Sequence, residues 1–100
     1  MVVRKIYLSG AISGNPDYKF QFLDQEQRLK RIYGDNVVVL NPSIFPDGLS
    51  QHDYMQLSIV MLNIADAVMM LDGWENSHGA RVERDYALKC NKYVFNQGDI

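Results

Sequence analysis

Three short aliphatic runs in this chain each end in a polar or glycine-rich turn, and this repeated pattern constrains the fold most. The turns occupy residues 9–14, 41–43 and 72–79. In an open parallel sheet, the carboxyl ends of the strands lie at one edge, and ligands bind in the crevice there. The pattern therefore predicts one ligand site built from three loops.

Helical patterns fill the gaps between these runs. The predicted strands are 5–9, 37–40, 67–71 and 92–96, and the predicted helices are 16–33, 51–63 and a third from 79 or 80 to 90. Alternating strands and helices imply a parallel sheet with right-handed crossovers. We therefore predict a single α/β domain over residues 1–100, a three-layer Rossmann-like sandwich with a small parallel sheet of about four strands.

Capping residues and apolar spacing add detail to the predicted helices. Asn15 is the expected N-cap of the first helix, Gly34 its end, and Ser50 the cap of the second. The predicted buried residues are Phe22, Leu29, Ile32 and Tyr33 on the first helix, and Tyr54, Leu57, Met61 and Ile64 on the second. The run 37–40 is expected to be covered on both faces. We expect Cys90 to be a small buried residue.

Composition excludes several classes of function. The net charge of −2 over 100 residues argues against a partner that is a nucleic-acid polymer. The longest apolar run, 67–71, is too short to span a membrane, so no membrane partner is expected. One cysteine excludes an internal disulfide and a cysteine-rich zinc site, and His52 and His78 lack metal-ligand spacing. Residues 1–5 do not resemble a signal peptide, and we expect a cytoplasmic protein.

The turn after the first strand is a candidate binding loop. Its amides and hydroxyls would contact a phosphate or a sugar oxygen. The candidate residues are Ser9, Gly10, Ile12, Ser13 and Gly14. The loop matches neither the Walker A pattern nor the dinucleotide fingerprint. A purely structural tight turn is the alternative.

Glu83 is the candidate reactive group, because it follows the third turn near the start of a helix. A carboxylate can attack an anomeric carbon and hold a glycosyl intermediate, provided that a second acid protonates the leaving group. Asp53 and Asp72 are the candidates for that acid. The structural alternatives are helix-end electrostatics for Glu83, a helix cap for Asp53 and a turn for Asp72.

The other two turns supply further candidates for substrate binding. Asn41 follows the second strand, and Ser77 and Gly79 precede Glu83. Trp74 lies in the third turn, where it would either stack on a base or pack against the protein core.

Several motifs occur together along nearly the whole chain. They read Lys-Ile-Tyr-Leu-Ser-Gly at 5–10, Ile-Ser-Gly at 12–14, Asn-Pro at 41–42, Gly-Leu-Ser at 48–50, Asp-Tyr-Met at 53–55, Ala-Asp-Ala-Val at 65–68, Leu-Asp-Gly-Trp-Glu at 71–75 and Gly-Ala-Arg-Val-Glu at 79–83. Together they resemble the nucleoside 2-deoxyribosyltransferase superfamily, in particular its short, often phage-encoded DUF4406-like branch.

This resemblance implies roles for individual residues. It implies that Glu83 attacks the deoxyribose, that Tyr7 positions its carboxylate, and that the loop from Gly10 holds the sugar or the 5′-phosphate. Ser77 stands where nucleotide hydrolases tend to carry a serine, which implies a nucleoside 5′-monophosphate as substrate. Members of the superfamily that hydrolyse nucleotides have an arginine in the turn after the first strand, and Ser13 stands there instead.

Three functional hypotheses stay open at this stage. The first is an N-glycosidase or deoxyribosyltransferase that acts on a small nucleoside or nucleotide, and it needs no cofactor and no metal. The second is a non-catalytic nucleotide-binding module with the same fold. The third is a structural or interaction protein. Exposed sheet edges, and sites that superfamily members complete across subunits, also lead us to expect a homo-oligomer.

Overall fold

Strands and helices alternate along the chain in the computed structural model, which describes residues 4–100. The elements are β1 (Arg4–Ser9), α1 (Tyr18–Tyr33), β2 (Val37–Leu40), α2 (Gln51–Ile64), β3 (Ala67–Met70), α3 (His78–Lys89) and β4 (Tyr93–Asn96). All strand pairs are parallel, in the order β2-β1-β3-β4. This arrangement confirms the predicted Rossmann-like α/β fold with a four-stranded parallel sheet.

β1 lies inside the sheet, between β2 and β3. Tyr7 is in register with Leu40 of β2 and with Val68 of β3. Successive side chains of a strand point to opposite faces. Ile6 and Leu8 therefore belong to one apolar core, whereas Tyr7 belongs to the other.

The helices cover the two faces of the sheet unequally. Phe22 and Leu29 of α1 pack in the core that contains Ile6 and Leu8. Leu62 of α2 and two alanines of α3 pack in the core that contains Tyr7. The molecule thus has three layers, with α1 on one face and α2 and α3 together on the other.

The start of α1 differs from the prediction. The helix begins at Tyr18, with Asp17 rather than Asn15 at the N-cap position. The side chain of Asn15 instead accepts a hydrogen bond from the Asp17 amide and donates one to the Ala11 carbonyl. These bonds hold Asn15 in a local turn before the helix, which delays the first helical residue.

The end of α1 confirms one prediction and corrects another. Gly34 follows the helix with a φ of 59°, a conformation that glycine adopts without strain. Ile32 and Tyr33 are exposed, however, and the buried residues are Phe22, Gln25 and Leu29. Tyr33 lines an open cavity and does not pack in the core, so the last turn of the helix contributes little to the core.

The buried side of α2 is not the predicted one. Leu62 and Ser58 are buried, whereas Leu57 and Ile64 are exposed. The spacing was uninformative because most residues in the segment 54–65 are apolar, so several faces look equally suitable for burial. The predicted cap is confirmed, since the Ser50 hydroxyl accepts a hydrogen bond from the Asp53 amide at 3.1 Å.

Two further burial predictions need correction. Val37 and Val39 of β2 pack on one core and Leu40 on the other, but Val38 is 46% exposed, so the second face of this strand is covered only in part. Cys90 is exposed because it lies just beyond the end of α3, outside the packed face of that helix. In the part of the chain that the structure describes, no helix is both long and apolar enough to cross a membrane.

The two leucines of α1 provide a matched test of this packing. Leu29 is fully buried, whereas 47% of Leu23 is exposed. We expect Leu29→Ala to lower the free energy of unfolding by about 2–5 kcal/mol, because it leaves a cavity in the core. Leu23→Ala should change it by about 0.5 kcal/mol or less. Urea unfolding of both variants measures the difference, and equal losses would contradict the placement of α1.

Candidate functional site

A buried carboxylate joins α3 to the central strand of the sheet. The Tyr7 hydroxyl donates a hydrogen bond to Glu83 Oε2 at 3.0 Å. The Ser9 hydroxyl donates one to Glu83 Oε1 at 2.7 Å. All three side chains are buried. Each carboxylate oxygen therefore has its own hydroxyl donor from the same strand.

Local structure explains why these groups meet. Tyr7 and Ser9 are two residues apart in β1, so they point to the same face of the sheet. Ala80, Glu83 and Ala87 are the buried residues of α3, and their spacing of three and four places them on one side of the helix. The two small alanines leave Glu83 as the long side chain that reaches β1.

Glu83 lies farther into its helix than the sequence predicted. α3 begins at His78, so Glu83 is in the second turn, and the first turn contains no acidic residue. The field of the helix dipole falls off beyond the first turn. Helix-end electrostatics therefore explain the position of Glu83 less well than its hydrogen bonds to β1 do.

Burial alters the acid–base chemistry of this group. Loss of water raises the pKa of the Glu83 carboxyl, and hydrogen bonds with Ser9, Tyr7 and Ser58 only partly oppose that rise. Burial and the neighbouring Glu83 charge raise the pKa of Tyr7 well above its usual value. Tyr7 consequently stays a neutral phenol and a hydrogen-bond donor at physiological pH.

The Glu83 side chain lines a cavity of about 750 Å³ at the carboxyl edge of the sheet. Tyr7, Ser58 and Glu83 provide polar groups in its lining. The aromatic residues of the lining are Tyr7, Tyr18, Phe22, Phe45 and Tyr54. The volume is within the range of about 300–1,000 Å³ that is usual for small-molecule sites.

The start of α3 and the loop after β1 line other parts of this cavity. Ser77, His78 and Gly79 are in the lining, as is Gly10. The first amides of a helix have no acceptor within the helix, so they are available to an anion. Gly10 allows a close approach of the backbone to Leu71, because a Cβ at this position would lie 3.0 Å from Leu71 Cβ and would force a shift.

The structure brings most of the predicted site residues together at the cavity. Those in the lining are Tyr7, Gly10, Ile12, Ser13, Ser77, Gly79 and Glu83. Ser9 is fully buried and contacts the site through its hydrogen bond to Glu83. The other predicted residues, which lie outside the lining, are Gly14, Asn41, Asp53, Asp72 and Trp74.

The two predicted second acids lie outside the lining of the cavity. Asp53 is exposed in the first turn of α2, where its amide completes the Ser50 cap. Asp72 is exposed, and its backbone binds the side chains of Gln21 and Gln97. No hydrogen bond joins either aspartate to Glu83 among the described residues.

Asn41 and Trp74 contact other groups of the protein and do not line the cavity. The buried Asn41 side chain donates to Glu26 at 3.0 Å and accepts from the Ser43 amide at 2.9 Å. Trp74 packs against the core beneath α2 and α3, and the Arg84 guanidinium lies 5.1 Å from the centre of a Trp74 ring. This geometry favours the packing role for Trp74.

Sequence reasoning missed Asp47, which lines the cavity from the loop between β2 and α2. Its carboxylate accepts a hydrogen bond from the Tyr18 hydroxyl at 3.4 Å and lies 3.5 Å from Lys19 Nζ. No motif marks this residue, because the loop conformation alone directs it to the cavity. Ser58 had one usable signal, since it is a polar residue within an otherwise mostly apolar helix.

A smaller hollow of about 410 Å³ lies at the opposite edge of the sheet, with Arg4 and Asp66 in its lining. Asp66 already accepts a hydrogen bond from the Lys5 amide at 2.8 Å, which gives it a structural role. Within residues 4–100, no cluster of three or more His, Cys, Asp or Glu side chains is arranged to hold a metal ion. The larger cavity is therefore the candidate site.

Comparison with known proteins matches the chain to a family. The model of a family described as a domain of unknown function, DUF4406, matches residues 4–96. The match runs from β1 to β4 and includes Tyr7, Ser9 and Glu83. No curated protein matches the chain.

The raised pKa of Glu83 predicts how stability changes with pH. The folded protein binds this proton more tightly than the unfolded chain, so the contribution of Glu83 to stability falls as pH rises from about 4.3 through the folded-state pKa. Glu83→Gln removes this dependence. Relative to wild type, the variant should therefore gain stability between pH 4 and pH 8, by about 1.4 kcal/mol per unit of pKa shift.

Urea unfolding of both proteins at several pH values measures this gain. Glu75→Gln is the matched control on an exposed glutamate of the preceding turn. A stability difference between Glu83→Gln and wild type that is the same at pH 4 and pH 8 would contradict the raised pKa.

Proposed function

Because the chain belongs to the DUF4406 family, whose description gives no function, we propose a function from the site itself. The proposed activity is that of an N-glycosidase or deoxyribosyltransferase on a deoxynucleoside or its 5′-monophosphate, with Glu83 as nucleophile. The observation that carries the proposal is a buried carboxylate at the wall of a cavity, fixed by two hydroxyl donors from one strand. The sequence resemblance to nucleoside 2-deoxyribosyltransferases points to the same chemistry.

The proposed reaction has two displacement steps. A Glu83 oxygen attacks C1′ of the deoxyribose, the bond from C1′ to the base nitrogen breaks, and the base leaves with the electron pair and takes a proton from water. Water or a second base then attacks C1′, gives up a proton to solvent and releases Glu83 as a carboxylate. Each carboxylate oxygen keeps a free lone pair beside its hydroxyl donor, so the Tyr7 and Ser9 bonds orient the nucleophile without blocking it.

The start of α3 suits a 5′-phosphate. Ser77 and Gly79 line the cavity at the first turn of α3, which carries no acid that would repel an anion. The Ser77 hydroxyl accepts a hydrogen bond from the Ala80 amide at 3.2 Å, which leaves the amides of His78 and Gly79 for a phosphate. His78 also lines this part, and its ring N–H can donate a hydrogen bond to a phosphate oxygen. A nucleoside 5′-monophosphate is therefore the preferred substrate of the proposal.

The aromatic residues of the cavity lining suit the base. Tyr18, Phe45 and Tyr54 offer aromatic surfaces on which a planar base would stack. Since Asp53 and Asp72 lie outside the lining, we assign the contact with the leaving base to Asp47. Its carboxyl group would bind the base edge directly or through water.

A non-catalytic nucleotide-binding module is the second candidate function. The burial of Glu83 favours it, because the raised pKa makes the protonated form of this carboxyl group easier to reach than in an exposed glutamate, and that form can donate a hydrogen bond to a sugar hydroxyl but does not attack C1′. The two candidates share the ligand and differ in whether the glycosidic bond breaks.

Release of free base tests the catalytic candidate. The wild type is incubated with each deoxynucleoside 5′-monophosphate, and the base is measured by chromatography. We expect one or more substrates to be cleaved, and Glu83→Gln to reduce the rate by about 10³-fold or more. Glu75→Gln, a matched change on an exposed residue, should retain the wild-type rate.

A thermal melt with the same nucleotides separates the remaining outcomes. Ligand at 100 times its dissociation constant adds about 2.7 kcal/mol of stability. A shift without base release would support the binding module. No shift and no release from a folded protein would contradict both candidates.

The role of Asp47 has its own test. Asp47→Asn should lower the rate of base release by about 10²-fold or more, because it removes the one carboxyl group assigned to the base. Asp53→Asn should have little effect, since Asp53 lies outside the cavity. The ratio kcat/KM for the preferred nucleotide measures both variants, and the reverse order of effects would restore Asp53 as the second acid.

A further inference from the structure

Asp47 gives the part of the cavity assigned to the base a group that accepts hydrogen bonds and donates none. Among residues 4–100, the carboxyl groups of the lining belong to Asp47 and Glu83, and no Lys or Arg lines the cavity. Glu83 is buried and bound by two hydroxyl groups, whereas 79% of the Asp47 side chain is exposed. An ionised carboxylate has acceptor oxygens only. A ligand atom that lies against Asp47 therefore needs a hydrogen to donate.

The contacts of Asp47 within the protein leave acceptor sites free for a ligand. The Tyr18 hydroxyl lies 3.4 Å from Oδ1 of Asp47, and Lys19 Nζ lies 3.5 Å from Oδ2. Both contacts are longer than the usual hydrogen bond. The two oxygens together have about four acceptor sites, so a site on each oxygen stays free.

The tyrosines beside Asp47 offer a base their rings rather than their hydroxyl protons. The Tyr54 hydroxyl donates to the Pro46 carbonyl at 2.7 Å and accepts from the Leu49 amide at 3.2 Å. The Tyr18 hydroxyl donates to Asp47 itself. The Tyr54 bonds also hold the loop of Asp47 against α2. Asp47 is thus fixed at the wall of the cavity, between two aromatic rings.

Gln51 is another polar side chain of this wall. It is the first residue of α2, three residues before Tyr54, and it lines the cavity. Its amide group has both N–H donors and an acceptor oxygen. It would therefore bind a ring nitrogen of a base whether or not that nitrogen carries a hydrogen. A choice between bases consequently depends on Asp47.

We propose that Asp47 makes the site selective for a base with an exocyclic amino group, cytosine or adenine, over its oxo counterpart, uracil or hypoxanthine. This inference rests on the proposed function, because it takes the ligand to be a deoxynucleotide. N4 of cytosine and N6 of adenine carry hydrogens, so they would donate to Asp47. A carbonyl oxygen in that place would set two acceptors against each other and leave both without a hydrogen.

The ring N–H of an oxo base does not remove this conflict. In uracil the N3–H lies between two carbonyl oxygens, and in hypoxanthine the N1–H lies beside O6. A carboxylate that accepts from either ring N–H has a carbonyl oxygen next to its second oxygen. In cytosine and adenine the amino group supplies hydrogens without a neighbouring carbonyl on the side of the ring nitrogen, which the Gln51 amide would bind.

Two matched pairs of nucleotides measure the selection. Deoxycytidine and deoxyuridine 5′-monophosphate share sugar and phosphate and differ at the base edge, as do deoxyadenosine and deoxyinosine 5′-monophosphate. Titration calorimetry gives each dissociation constant, with Glu83→Gln used in place of the wild type for a nucleotide that is cleaved. In each pair that binds, we expect the amino member to bind about ten-fold more tightly than the oxo member, or better.

Exchange of the carboxylate for an amide tests the role of Asp47. Asp47→Asn keeps the size of the side chain but adds an N–H₂ donor that a carbonyl oxygen accepts from. The ratio of the two affinities within a pair should therefore fall by about ten-fold, towards equal binding. Asp53→Asn is the same change outside the cavity lining and should keep the wild-type ratio. A ratio does not respond to a substitution that weakens both nucleotides equally, so it separates base selection from a general loss of structure.

The outcomes distinguish this selection from the proposed function. An oxo nucleotide that binds as tightly as its amino partner would overturn the selection and leave the proposed function standing. A ratio that Asp47→Asn leaves unchanged, or that Asp53→Asn lowers equally, would do the same. If no member of either pair binds to the folded protein, the proposed function fails and the selection fails with it.

Discussion

The alternation of side chains along β1 is the constraint on which the rest of the molecule depends. This strand lies between β2 and β3, and helices pack on both of its faces. Ile6 and Leu8 face the core under α1, whereas Tyr7 and Ser9 face α3 and bind Glu83. A shift of one residue in register would exchange these roles, placing two hydroxyl groups in an apolar core. One six-residue strand therefore fixes both the packing and the site.

A carboxylate in the position of Glu83 is costly for stability. Burial of an ionised group carries a penalty that hydrogen bonds offset only in part, and the raised pKa of Glu83 reflects this balance. An apolar residue would fill the space between Ala80 and Ala87 at lower cost. Perturbed carboxyl groups of this kind cluster at functional sites, and this one lines a cavity of about 750 Å³.

α2 contributes both to the packing and to the candidate site. Leu62 packs in the core that contains Tyr7, whereas Tyr54 and Ser58 line the cavity. Val60, on the other side of the helix, is exposed. One helix of 14 residues therefore covers part of the sheet and forms part of the cavity wall.

The sequence by itself determined the order of the strands and helices, and with it the edge of the sheet where Gly10, Ser77 and Glu83 meet. These features follow from local patterns and from the rule that parallel strands end at a common edge. Only the tertiary structure decided which side of α2 is buried, because an almost wholly apolar segment contains no periodic signal. It also decided that Asp47 rather than Asp53 lines the cavity, since the path of a loop depends on contacts with distant residues such as Tyr18.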